Sequence, residues 1–137
     1  MANEPSSPGN NGQPLHRRAR NLLIVEPQSL LRWSLATYLS RWFDVFPTDS
    51  PATAERILDD ERIDAVVLSD ALPAAQLTAL LEHVRARGQA TCLVCTVTGS
   101  GFMPVPHDKC HCIEKPFELR KLADLLGVES QASSRTR

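Results

Sequence analysis

Cysteine and histidine side chains are the first candidates for chemistry in this chain of 137 residues, because thiolate and imidazole groups bind zinc and thiols react with oxidants. The candidates are Cys92, Cys95, His107, Cys110, His111 and Cys112. Cys92 and Cys95 have the spacing of half a zinc site, but their apolar surroundings predict a strand, where residues three apart point to opposite faces. The sequence therefore favours reduced, small, buried cysteines, and a metal- or redox-responsive domain is the alternative.

A phosphate-binding loop is a second candidate, located after the first apolar run of the chain. Flavin and nucleotide sites of α/β enzymes wrap phosphate with backbone N–H groups at this place. The segment 26–30 contains no glycine, and Pro27 has no N–H to donate. The sequence therefore disfavours a flavin- or nucleotide-dependent enzyme.

The charge balance argues against partners, such as nucleic acid, that are attracted by the net charge of the whole protein. Fifteen basic side chains stand against 16 acidic ones, so the formal net charge is -1. Arg17, Arg18 and Arg20 form a basic flank with His16, but no helix-turn-helix pattern follows, and we predict no nucleic-acid partner. The apolar runs are too short to cross a bilayer and the first residues are polar, so we predict a cytoplasmic protein without a membrane partner.

Short apolar runs alternate with amphipathic helical patterns, and 42% of the residues are hydrophobic, which is enough for one core. We predict strands at residues 22–25, 43–46, 65–68, 91–96 and 112–114. This alternation predicts one α/β domain whose parallel sheet is covered by helices on both faces. We place the domain at 21–128, between a disordered leader, 1–20, and a disordered tail, 129–137, which both lack apolar periodicity.

Four helical patterns accompany these strands. The predicted buried faces are Leu30, Leu31, Ser34, Leu35, Tyr38 and Leu39 in the first helix and Leu77, Leu80, Leu81 and Val84 in the third. Ser50 and Pro51 predict the cap and first turn of the second helix, and Gly127 ends the last one. Between strands four and five, the segment 99–106 contains two glycines and two prolines, so the helix expected there is predicted to be short or missing.

Three local patterns resemble the receiver domain of bacterial two-component response regulators. They are the strand that ends at Glu26, the stretch 64–73 that contains Ser69 and Asp70, and the Lys115-Pro116-Phe117 motif. Together they span about residues 21–127. The resemblance implies a flavodoxin-like, doubly wound sheet of five parallel strands in the order 2-1-3-4-5, with its site at the carboxyl ends of the strands.

In that family a kinase histidine transfers a phosphoryl group to an aspartate, and two carboxylates after strand one hold magnesium. Here Glu26 and Pro27 stand at the metal positions, and proline offers no carboxylate. Counting from Asp64 or from Pro73 places Ser69 at the acceptor position, where a hydroxyl is a weak nucleophile without a base. The resemblance therefore implies a degenerate phosphorylation site with weak or absent magnesium binding, no other cofactor and no enzymatic activity.

Asp70 is the alternative acceptor, since it follows Ser69 directly. Alternation along a strand points it away from the place that Ser69 faces, although a bulge would reverse this. The alternative is a phosphorylatable receiver that uses Asp70 as a slipped acceptor.

Some of the remaining positions match the receiver family and one does not. The resemblance implies that Lys115 pairs with the acceptor and that Thr96, or Thr98 in the alternate register, senses the phosphoryl group. Cys112 stands at the switch position, where the family usually carries an aromatic side chain that moves on phosphorylation.

Loss of the switch aromatic and of the fourth helix removes the face that phosphorylation normally rearranges. We therefore expect an atypical stand-alone receiver, a pseudo-receiver that acts in signal transduction by phosphorylation-independent protein–protein interaction. Its partner would be another protein or a second copy of the chain. Trp33, opposite the leucine stripe of helix one, and Phe102 with Met103 are the exposed apolar interaction candidates.

Overall fold

The helices and strands alternate as the apolar pattern predicts. A computed structural model describes residues 20–87, 92–98 and 110–128 of the chain. The elements, in order, are β1 (Arg20–Val25), α1 (Ser29–Leu39), β2 (Phe43–Thr48), α2 (Pro51–Asp60), β3 (Ala65–Ser69), α3 (Ala74–Arg87), β4 (Cys92–Thr98), β5 (His111–Lys115) and α4 (Leu119–Leu125). The predicted leader up to residue 19, the tail, and the segment 99–109 with Phe102, Met103, His107 and the shortened helix lie outside the described residues.

All five strands pair in parallel in one sheet, in the order β2-β1-β3-β4-β5. This confirms the predicted doubly wound fold. The central strands β1 and β3 are continuous apolar runs because helices cover both of their faces.

The sheet separates two apolar clusters, and alternate residues of each strand belong to opposite clusters. Leu23 and Val66 pack with the buried side chains of α2 and α3, whereas Leu22 and Val67 pack with those of α1 and α4. The predicted core positions of α3 are all buried, namely Leu77, Leu80, Leu81 and Val84. Because both faces of the sheet are packed against helices, the ends of the strands are held in place. The polar residues that follow these ends therefore meet at one edge of the sheet.

Helix boundaries follow local chemistry at two places. Ser50 caps α2, since its Oγ accepts a hydrogen bond from the backbone N–H of Thr53 at 3.2 Å, and Pro51 is the first helical residue. Gly127 follows α4 with a φ of 90°, a left-handed conformation that favours glycine at a helix end. Both predicted boundaries are confirmed.

Two predictions about the elements were wrong. Leu30 is 71% exposed, because α1 turns it to the outer side with Trp33 and away from the buried Leu35. Arg20, which we assigned to the leader, begins β1, and its guanidinium donates a hydrogen bond to the carbonyl of Leu126 at 2.6 Å. Within the described residues, no helix is both long enough and apolar enough to cross a membrane.

Candidate functional site

The carboxyl ends of three strands bring four of the predicted site residues together. Glu26 follows β1, Ser69 ends β3 with Asp70 directly after it, and Lys115 ends β5. Because parallel strands end at the same edge of the sheet, residues far apart in the chain meet there. We call Glu26, Ser69, Asp70 and Lys115 the strand-end site.

Lys115 is the centre of this site. Its Nζ lies 2.9 Å from Ser69 Oγ and 3.4 Å from Glu26 Oε1, and the Asp70 Oδ1 is 4.0 Å away. The lysine side chain is only 18% exposed, so these short-range contacts are weakly screened by solvent. The ammonium from β5 therefore reaches across β4 to the ends of β3 and β1.

Glu26 carries a buried carboxylate with 2% of its side chain exposed. Burial of a charge is costly unless the charge is paired and hydrogen-bonded. Glu26 Oε2 accepts a hydrogen bond from the backbone N–H of Gln28 at 2.9 Å, and Lys115 supplies the opposite charge at Oε1. Both oxygens of the carboxylate therefore have donors within the chain.

Ser69 is buried, and its hydroxyl oxygen accepts hydrogen bonds from the Lys115 ammonium and from the backbone N–H of Ala71 at 3.0 Å. Its closest side-chain partner is thus a donor, whereas a nucleophilic serine needs a base that takes its proton. The arrangement holds Lys115 in place and does not activate the hydroxyl.

Asp70 is bound by the end of β4. Its Oδ2 accepts a hydrogen bond from the backbone N–H of Thr98 at 2.7 Å, and its Oδ1 accepts one from Thr98 Oγ1 at 3.2 Å. The expectation that Asp70 points away from the site was wrong, since its Oδ1 approaches Lys115. Alternation holds within a strand, but β3 ends at Ser69 and Asp70 lies in the following turn.

The two threonines of β4 differ in their contacts. The buried Thr96 donates from its Oγ1 to the backbone carbonyl of Leu68 at 3.5 Å. Thr98, the alternate register of the prediction, binds Asp70 and is exposed at the strand end. Thr98 therefore belongs to the strand-end site, whereas the Thr96 hydroxyl is bound to the backbone of β3.

Magnesium fits this donor set poorly. The ion prefers several hard oxygen ligands in octahedral geometry. Pro27 is exposed and supplies no carboxylate, and the oxygens of Glu26 and Asp70 already accept hydrogen bonds from Gln28, Lys115 and Thr98. Among the described residues, no three or more His, Cys, Asp or Glu side chains are grouped so that they could hold a metal ion. Weak or absent magnesium binding stays a prediction.

Cys92 and Cys95 lie on opposite faces of the sheet, as their predicted strand requires, and the two thiols that come together are a different pair. Cys95 and Cys110 are buried, and their sulfurs lie 3.3 Å apart. Cys92 is half-buried and Cys112 is exposed, so the prediction of four buried cysteines was wrong for these two. Cys112 is exposed because it lies in β5, the edge strand of the sheet. The Cys95 and Cys110 pair was missed because it joins neighbouring strands and not neighbouring residues.

An exposed apolar surface lies on α1. Leu30 and Trp33, which are 71% and 65% exposed, are one helical turn apart on the outer side of α1. We call these two residues the α1 patch. A groove beside the strand-end site has a volume of about 440 Å³ and is lined by Gln28, Leu31, Thr98, Lys115, Pro116, Phe117 and Leu119.

The fold is that of solved receiver domains. A response regulator receiver protein from Sinorhizobium medicae WSM419 matches with a TM-score of 0.66 and 21% identity over 78% of this chain and 90% of that one. A response regulator receiver domain protein from Bacillus halodurans matches with a TM-score of 0.66 and 18% identity over 82% and 100% of the two chains. A receiver-modulated diguanylate cyclase from Pelobacter carbinolicus matches with a TM-score of 0.65 and 18% identity over 78% and 88%.

At these identities the likeness concerns the fold. No protein-family model matches the sequence, and no curated protein matches it. A shared fold does not determine the activity of the chain, which depends on its own site residues.

Proposed function

We propose that this chain is a receiver-type domain of bacterial two-component signalling that has lost phosphoryl transfer and acts by binding a protein partner through a fixed surface. The receiver fold and the position of Ser69 support this proposal. The domain would work in the cytoplasm, without a cofactor and without catalysing a reaction.

The contact between Lys115 Nζ and Ser69 Oγ is the observation that carries the proposal. In a phosphorylatable receiver this lysine would pair with the acceptor carboxylate and then with its phosphoryl group. Here a neutral hydroxyl occupies the acceptor position, and Glu26 and Asp70 balance the charge of the lysine. The strand-end site is thus bound together by its own side chains before any phosphoryl group arrives.

The partner surface is proposed to be the α1 patch. Single exposed apolar side chains are ordinary, but an exposed tryptophan one turn from an exposed leucine is typical of an interface centre. The side chains on this outer side of α1, Leu30, Trp33 and Thr37, are all uncharged. The surface therefore fits an apolar anchor of a protein partner better than a charged ligand.

Binding through the α1 patch is tested by affinity capture from the native cell, followed by titration of the partner that is found. Trp33→Ala is expected to weaken binding by more than tenfold, which is about 1.4 kcal/mol, if the tryptophan is a hot spot. Thr37→Ala is the matched control, because Thr37 lies on the same side of α1 without an apolar side chain. Unchanged affinity in Trp33→Ala, or affinity that requires a phosphodonor, would contradict the proposal.

Self-association is the second arm of the same experiment. Sedimentation of the purified chain, with and without Trp33→Ala, distinguishes a second copy from a different protein as the partner. The predicted Phe102 and Met103 candidates lie outside the described residues, and Phe102→Ala tests them in parallel.

A second candidate function is a phosphorylatable receiver with Asp70 as a slipped acceptor. The 4.0 Å approach of Asp70 Oδ1 to Lys115 Nζ favours it. The two hydrogen bonds from Thr98 argue against it, because a phosphoryl group on Asp70 would have to displace at least one of them.

A further inference from the structure

Three thiols meet between the last two strands, away from the strand-end site. Cys95 lies in β4, Cys112 is its register partner in β5, and Cys110 directly precedes β5. The Sγ atoms of Cys95 and Cys110 are 3.3 Å apart. None of these thiols has a role in the proposed receiver function.

Cys95 and Cys110 are closer than ordinary packing requires. Both belong to the apolar cluster on the α2 and α3 side of the sheet, with relative exposures of 0% and 8%. A disulfide has a bond length of about 2.05 Å, so the sulfurs need to approach by little more than about 1 Å. The pair is therefore positioned for a bond between neighbouring strands.

The two thiols differ in reactivity, because the hydrogen bond between them shifts their pKa values in opposite directions. The two sulfurs share a hydrogen bond, which lowers the pKa of Cys110 to about 7. The same hydrogen bond, together with burial, raises the pKa of Cys95. A thiolate is the form that attacks peroxides and disulfides, so Cys110 is the nucleophile of the pair and Cys95 is its partner thiol.

We propose that Cys95 and Cys110 form a reversible disulfide when the chain meets hydrogen peroxide, with Cys110 as the residue oxidised first. The Cys110 thiolate attacks one peroxide oxygen, the O–O bond breaks, and the released hydroxide takes a proton and leaves as water. Cys110 is then a sulfenic acid. Cys95 loses its proton as its sulfur attacks that of Cys110, and the expelled hydroxide leaves with this proton as a second water. The two thiols are oxidised by two electrons, and the peroxide is reduced to two waters.

The bond would tie β4 to the start of β5 and close the segment between them into a covalent loop. This proposal is independent of partner binding by the α1 patch, which lies on the opposite side of the sheet. Either proposal can fail without the other.

Cys92 provides the matched control within the same strand. It is half-buried in the cluster on the other face of the sheet, and its Sγ donates a hydrogen bond to the backbone carbonyl of Leu125 at 3.3 Å. Burial raises the pKa of this thiol, so it should react slowly. Cys112 is the exposed neighbour of the pair. If oxidation were indiscriminate, Cys112 would be oxidised as well, whereas a specific pair leaves it reduced.

The experiment treats the full chain with a small excess of hydrogen peroxide, blocks remaining thiols with N-ethylmaleimide in denaturant, and maps the peptides by mass spectrometry. The expected result is a loss of two hydrogens, one linked peptide that joins Cys95 to Cys110, alkylated Cys92 and Cys112, and full recovery with dithiothreitol. Cys92→Ser and Cys112→Ser should retain the link, and Cys110→Ser should abolish it.

The wild-type map decides the question even where a variant fails to fold. Sulfinic or sulfonic acid at Cys110 without a link, or a link that contains Cys112 or Cys92 in place of Cys95, would overturn the proposal. So would a reaction in which all four thiols disappear at the same rate.

Discussion

Lys115 Nζ lies 2.9 Å from Ser69 Oγ, so the lysine that ends β5 is bound directly to the hydroxyl that ends β3. A hydroxyl brings no charge to this contact, and the charge of the lysine is balanced by the carboxylates of Glu26 and Asp70. Both carboxylates belong to the chain itself. The lysine therefore has charged partners that do not depend on phosphorylation.

Acyl-phosphate chemistry is expected to be absent from the wild-type chain. Incubation with acetyl phosphate and magnesium should give no hydroxylamine-labile mass increase, because Ser69 and Pro27 stand where the reaction needs carboxylates. The double variant Pro27→Asp/Ser69→Asp restores both carboxylates and is expected to gain the adduct. A stoichiometric adduct that maps to Asp70 in the wild type would favour the slipped acceptor.

Magnesium is expected to leave thermal stability unchanged. A ligand raises the melting temperature only when it binds the native state, and the oxygens of Glu26 are already engaged by Gln28 and Lys115. The measurement is a thermal melt at millimolar magnesium, with the Pro27→Asp/Ser69→Asp variant as the positive control. A rise in the wild type that is lost in Glu26→Gln would reveal a surviving metal site.

A parallel sheet was predictable from the residues, because apolar runs alternate with helical patterns and parallel neighbours need crossover connections. The strand order came from the resemblance to receiver domains, and the structure confirms it. The buried side of each helix was less predictable. Leu30 was assigned to the core with Leu35, since both are leucines near one stripe. The exact phase of the helix, with Leu30 one turn from Trp33, decides which side is buried, and it depends on packing against β1 and α4.

The strand-end site was partly predictable for a related reason. Ser69 was located by its distance from Asp64 and Pro73, Lys115 was located by the Lys-Pro-Phe motif, and the structure brings the two together. The contact of Asp70 with Thr98 was not predictable, since it depends on where β3 stops. The Cys95 and Cys110 contact joins β4 to β5 across residues whose spacing carries no motif, and only the strand pairing shows it.

Substitutions in the strand-end site are expected to cost less stability than substitutions in the core. Ser69→Ala removes two hydrogen bonds and leaves Lys115 paired with two carboxylates, so we expect a loss of about 1–2 kcal/mol. Leu35→Ala should cost about 2–4 kcal/mol, because a fully buried side chain leaves a cavity. Urea unfolding measures both, and a larger loss for Ser69→Ala would mean that the hydroxyl is essential for holding the site together.

The exposure of Trp33 can be measured by fluorescence quenching. The chain has two tryptophans, and Trp42 is half-buried with its ring edge on Tyr38 at a centroid distance of 5.4 Å. The Trp42→Phe variant reports Trp33 alone and should be strongly quenched by iodide, whereas Trp33→Phe should be weakly quenched. Binding of the partner should protect Trp33 from the quencher, and unchanged quenching in the complex would exclude the α1 patch from the interface.

The reaction of Cys110 with peroxide is expected to depend on pH with a midpoint near 7. The titratable groups that act on this thiol, within the described residues, are Cys95 and Cys112. Hydrogen bonds with these thiols lower its pKa to about 7 from an ordinary 9.0, with the larger effect from Cys95. The rate follows the thiolate fraction, so it should rise through pH 7 and level off above about pH 8 in the folded chain.

The lowered pKa of Cys110 also makes the free energy of unfolding depend on pH, and this dependence provides an independent check. Between about pH 7 and pH 9 the unfolded Cys110 still binds the proton that the folded one has released, so its contribution to stability grows with pH over this window and is lost as pH falls through 7. Urea unfolding of wild type and Cys110→Ser across this window should show a pH-dependent difference, with the wild type gaining relative to the variant as pH rises. Above pH 9 the raised pKa of Cys95 works in the opposite direction, since the unfolded chain then releases a proton that the folded one retains. A peroxide rate with its midpoint near pH 9, together with a constant stability difference, would show that Cys110 is an ordinary thiol.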